Sequence, residues 1–168
     1  MKLSIFILTL LMAFAVSAGA EAAVSDGAVI APENLAPLAQ WVEKATHVSL
    51  PVLPVAIASN RKLEKALRLE DAQHAGAVGA YLPGRILISN NVWDADSLVA
   101  QSYVVHELVH HAQFVSGRPY TCHAAKEREA YMLQSQWLIE HGQKPLVGQA
   151  WIDAMSSCAS ADGRAQAY

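Results

Sequence analysis

Residues 106–110 read His106-Glu107-Leu108-Val109-His110 within a stretch of helical, largely apolar sequence. Two residues four apart on an α-helix differ by about 40° in rotation and about 6 Å in rise, so both imidazoles lean over one patch of surface and can share a metal ion. Glu107 lies about 60° from His110 around the same helix, within reach of a water on that metal without joining its ligands, which is the position of a general base. A chain of this length and composition would contain the pattern by chance roughly once or twice in a hundred. No Gly or Pro interrupts the run from Ser97 to Ser116, so the motif falls inside a helix. Asp94 or Asp96 is expected to cap that helix, and Gly117 followed by Pro119 to end it.

A tetrahedral zinc that keeps a water in its fourth position needs a third protein ligand. The metzincin pattern would require Gly at position 113 and His at position 116; the chain has Gln113 and Ser116, which excludes it. The other common solution is an acidic residue from a following helix, expected over residues 121–141 after the short loop at 117–120; Cys122 as a ligand is the lesser alternative, since such sites usually take a carboxylate or His. That helix offers Glu127, Glu129 and Glu140. With Glu127 at 0° on a helical wheel, Ala130, Tyr131, Trp137 and Leu138 fall within about 80° of it, while Glu129 lies near 200° beside Gln136 and Glu140. In an antiparallel hairpin His110 and Glu127 also sit at the same height, each ~9 Å from the turn. Glu127 is therefore the chosen third ligand and Glu129, at nearly the same height, the alternative; otherwise Glu129 reads as a solvated helix charge.

The His106 to His110 motif, taken with Glu127-Arg128-Glu129-Ala130, resembles the gluzincin branch of the HExxH zinc metallopeptidases, in which a Glu on a second helix, often in an E-x-x-A setting, completes the site. The resemblance spans residues 75–140. It implies a compact zincin-like α+β domain with a small sheet or hairpin packed on the motif helix. It also implies Zn2+ as cofactor, a peptide or protein substrate, metal ligands His106, His110 and Glu127, and Glu107 as the catalytic base. Several such families follow the Ala with an Asp that supports a ligand His; here Tyr131 holds that place. The alternative function is a zinc-stabilised binding or scaffold protein without turnover.

Upstream, residues 77–89 read as two short strands around the Pro83-Gly84 turn. In zincins a strand like the second, Arg85 to Ser89, lines the cleft and takes up an extended substrate at a sheet edge. The simpler reading is a hairpin packed under the helix. Earlier still, residues 34–46 form an amphipathic helix with Asn34 as cap and Leu38, Trp41, Val42 and Ala45 on one face; residues 52–58 give a strand that Pro54 assigns to an edge or a start; and residues 60–71 give a charged helix.

Met1-Lys2, the apolar run 3–16 and the small residues at 18–22 have the form of a signal peptide cleaved after Ala20 or Ala22, leaving residues 23–168 as one domain in the periplasm or outside the cell. No later segment is long and apolar enough to span a membrane. The formal charge of −3 for the whole chain carries no basic excess for nucleic acid. The two cysteines, Cys122 and Cys158, are expected to pair in an exported chain, closing a loop of about 37 residues and stabilising the fold by roughly 4 kcal/mol. The bond would pin the C-terminal segment 146–160 near the metal site. His111 points about 100° away from its ligand neighbour. His47, His74, His123 and His141 have no ligand spacing. Tyr81, Tyr103, Tyr120 and Tyr131 are all candidate donors to a tetrahedral intermediate, and the sequence does not choose among them.

Overall fold

The chain's regular elements, in a computed structural model that describes residues 25–67 and 77–158, are α1 (Pro32–Thr46), β1 (Val55–Ala58), α2 (Asn60–Ala66), β2 (Gly79–Leu82), β3 (Arg85–Ser89), α3 (Leu98–Ser116), α4 (Ala124–Glu140) and α5 (Gln149–Met155). The expected signal peptide and the last turn of the charged helix at 68–71 lie outside the described residues. Three strands form one mixed sheet in the order β1-β3-β2, with β1 parallel to β3 and β2 antiparallel to it. The architecture is the expected α+β domain.

Several boundaries differ from the sequence reading, each for a local reason. α1 starts at Pro32, with Ala31 rather than Asn34 as its cap, because proline's fixed φ suits the first helical position, where an N–H has no partner. β1 starts only at Val55; Pro54 lacks a donor and contributes its carbonyl, which accepts from the Ile86 N–H. Ser97, not Asp94 or Asp96, caps α3, its hydroxyl accepting from the Ala100 N–H. The Asp94 carboxylate is occupied by the Asp96 N–H in the preceding turn. Gly117 ends α3 in the left-handed conformation, as expected.

Alternation along the strands divides the core. Val55, Ile57, Ile86 and Ile88 pack with Leu38 and Val42 of α1, with Val104, Val105, Leu108, Val109 and Ala112 of α3, and with Ala130, Trp137 and Leu138 of α4. On the other face, Ala58, Ala80 and Leu87 pack with Leu63 of α2. α3 therefore runs through the interior, and its polar residues His106, Glu107, His111, Gln113 and Ser102 are buried. Buried polar groups need partners, and here those partners build a site.

The sheet topology decides between the two readings of residues 77–89, in favour of a hairpin packed on α3. β3 is the central strand, paired on both sides, so Arg85 to Ser89 has no free edge to offer a substrate. The outer side of β1 is covered by residues 27–30, where the Gly27 and Ile30 N–H groups donate to Ile57 and Val55 and the Ile57 N–H donates to Ala28. Among the described residues, β2 is the edge without a further strand.

Candidate metal centre

α3 and α4, joined by a seven-residue connection, place His106, His110 and Glu127 together. The two Nε2 atoms are 3.2 Å apart, and Glu127 presents Oε2 to His106 and Oε1 to His110, each at 3.3 Å. One ligand atom from each residue falls within a sphere of mutual distances under 4.8 Å, and the three could hold a metal ion.

The other ring nitrogens determine which way the lone pairs point. The Gln134 amide donates to Ser102 Oγ, which donates onward to the Val99 carbonyl, so Gln134 Oε1 is left to accept from His106 Nδ1 at 3.2 Å. The Gln113 amide donates to the Lys126 carbonyl and to Glu129 Oε2, leaving its Oε1 to accept from His110 Nδ1 at 2.9 Å. Both histidines thus carry their proton on Nδ1 and turn the Nε2 lone pairs toward Glu127. Two lone pairs and a carboxylate in one half-buried spot repel unless a cation lies among them. A proton on His110 is one such cation. Burial pulls the His110 pKa down, but the hydrogen bond and charge of Glu127 more than offset it and raise it to about 9. Burial likewise pushes Glu127 up, and the two imidazoles outweigh it, holding the carboxyl well below the usual range.

Glu107 has a different environment. It is 7 % exposed, lies against β2 and faces the Tyr81 backbone N–H. Burial dominates and raises its pKa, against the opposing pull of His106 and His110. Glu107 is therefore a carboxyl group tuned upward beside a carboxyl tuned downward, the separation that gives two acids two roles.

Glu129 does not join the cluster, and it is not a solvated charge. It accepts from Gln113, from the Tyr120 hydroxyl at 2.9 Å and from the Arg118 guanidinium. Arg118 and Tyr120 belong to the α3–α4 connection and reach back over the helix, which a wheel of α4 alone does not reveal. The sequence reading uses Gln113 only to exclude the metzincin pattern and gives Gln134 no role. Their only signals were positions, one turn after His110 for Gln113 and one turn from Tyr131 and Leu138 for Gln134. His111 is buried and turned away: its Nε2–H donates to the Pro51 carbonyl at 3.2 Å and its Nδ1 faces the Tyr81 hydroxyl. His123, which precedes α4, lies near enough to feel the charges of Glu127 and His110.

The tyrosines now separate. Tyr81 faces His111, and Tyr120 is engaged with Glu129 and Arg118. The Tyr131 ring lies 4.4 Å from the His106 ring and meets Trp151 edge-on at 4.8 Å. Burial first, and then the charges of Glu127 and Glu107, keep its hydroxyl protonated. Trp151 belongs to α5, which is tied to α4 by the Arg128–Asp153 ion pair and, through the segments just before α4 and just after α5, by the Cys122–Cys158 disulfide.

Among the described residues no helix is long and apolar enough to cross a membrane. No curated protein and no solved structure matches the chain. A family model described as a domain of unknown function matches residues 27–164, and on that match the chain belongs to the DUF6647 family.

Proposed function

We propose that this protein is a zinc-dependent peptidase of gluzincin type, acting in the periplasm or outside the cell. The observation that carries the reading is the pairing of a three-donor cradle with a buried, upward-tuned carboxyl that stays out of it. The donor spacing suits zinc. Two imidazole nitrogens 3.2 Å apart and a carboxylate that turns one oxygen to each at 3.3 Å are a donor set that zinc takes, with one atom from each residue within 4.8 Å of the others. Glutamine carbonyls accept from both Nδ1–H groups, which leaves Nε2 of each imidazole as the nitrogen that would face a metal.

Bound zinc would supply a Lewis acid that lowers the pKa of a water and polarises a carbonyl. Glu107 takes the proton of the attacking water and delivers it to the leaving amine, a task suited to a carboxyl whose pKa burial has raised. Tyr131, protonated and set against His106, donates a hydrogen bond to the oxyanion that forms on the carbonyl. His106, His110 and Glu127 hold the ion.

The second reading, a zinc-stabilised binding or scaffold protein, draws on the near-complete enclosure of Glu107. Hydrolysis of an unfolded protein substrate separates the two. The peptidase reading expects cleavage that stops on chelation, returns with zinc and is lost in Glu107→Ala. A zinc-loaded protein that cleaves no peptide bond leaves the scaffold.

A further inference from the structure

Position 79 is a glycine in the middle of the site's support, and its backbone does not require one. Glycine inside a strand gives up side-chain packing and costs extra conformational entropy, so its presence calls for a close approach. Positions 79 and 81 of β2 face α3, whereas Ala80 packs on the α2 side. A Cβ at position 79 would stand 2.6 Å from Glu107 Oε1, 3.0 Å from its Cγ and 3.1 Å from its Cδ. Three atoms of one side chain occupy the place where any other residue would begin. To make room Glu107 would have to leave its place facing the Tyr81 N–H, inside an enclosure that leaves the residue 7 % exposed.

We infer that Gly79 is a positioning residue: the bare backbone of β2 is the seat that holds the Glu107 carboxylate beside the His106–His110 pair, and a single methyl group there evicts it. The functional half of this inference rests on the hydrolytic reading of Glu107; the contact itself does not. The three nearest atoms to a Cβ at position 79 all belong to Glu107 and none to the cradle residues, so the methyl group strikes the carboxylate before the cradle.

The test is Gly79→Ala made in two backgrounds, wild type and Glu107→Ala, with thermal unfolding, zinc affinity and peptidase kinetics measured on each. With Glu107 present, Gly79→Ala lowers Tm. With Glu107 truncated, the same methyl fills vacated space on a strand and raises Tm. Zinc affinity stays within about threefold of the parent, while kcat falls roughly 100-fold with little change in KM, the cost of a misplaced base. If the single variant fails to fold and the double variant folds, the sign difference appears in its strongest form. A Tm change of the same sign and size in both backgrounds overturns the inference, as does wild-type kcat in the single variant. Opposite Tm signs in a protein whose wild type cleaves nothing would keep the Gly79–Glu107 contact and reject the hydrolytic reading beneath it.

Discussion

Glu107, Glu127 and Glu129 lie within a few ångströms of one histidine pair and its supports, yet each has a distinct expected behaviour. Glu127 gives an oxygen to each imidazole, so Glu127→Ala should abolish tight zinc binding, as equilibrium dialysis would show. Glu107→Gln should retain zinc and lose between 10²- and 10⁴-fold in kcat, on the order expected for removing a general base. A variant that loses its metal, or keeps full activity, removes Glu107 from that role. Glu129 acts through Gln113 on His110, so Glu129→Ala should weaken zinc binding by about 10- to 100-fold, the usual effect of losing a group that orients a ligand histidine. Zinc affinity equal to wild type would return Glu129 to an ordinary surface charge. Tyr131→Phe should leave zinc affinity intact and lower kcat by roughly 10²-fold if its hydroxyl meets the oxyanion.

At the scale of elements, α5 has little burial of its own, with Ile152 its one buried residue, and it is held to α4 by the Cys122–Cys158 bond and the Arg128–Asp153 pair. Replacing both cysteines by serine should cost about 2–5 kcal/mol by denaturant unfolding. Trp151 should then leave Tyr131, a change visible in tryptophan fluorescence. What could be read from the chain divides along the same lines. The His106–His110 spacing, the α3 and α4 helices and the meeting of Glu127, not Glu129, with the histidine pair were legible because each depends on the period of a single helix, or of two helices joined by a short loop. Caps were less so: Asp94 and Ser97 have equal claims in sequence, and the turn that consumes Asp94 decides between them. The supports of the site were hidden for a different reason. Gln113, Gln134, Arg118 and Gly79 matter through partners on other elements, and no periodicity in their own segment marks them. That β3 is central and β2 the edge was not legible within the hairpin, because strand order depends on β1, well upstream, pairing in parallel with β3.

Over the whole molecule, the His106–His110–Glu127 cluster should couple stability to pH. His110 has a folded pKa of about 9 against an ordinary 6.5, so its contribution to the metal-free protein is complete below 6.5 and disappears as pH rises through about 9. Glu127 is shifted the other way, so its contribution is present above its ordinary 4.5 and disappears as pH falls below that. Chelated protein should therefore melt at progressively lower temperature from pH 6.5 to 9, and zinc should remove that alkaline decline by taking the place of the proton. A flat Tm across this window in chelated protein would show that the cradle does not hold a proton in the ion's absence. The chain order of the parts has a kinetic consequence. All three cradle residues and both glutamines that orient the histidines lie between Ser97 and His141, in one helical hairpin whose contacts are local and therefore quick to form. The seat of Glu107 requires β2 to be docked on a sheet whose parallel β1–β3 pairing joins distant segments, a slower event. During refolding, zinc uptake should run ahead of the recovery of hydrolysis, leaving a transient species that is already metallated and not yet active.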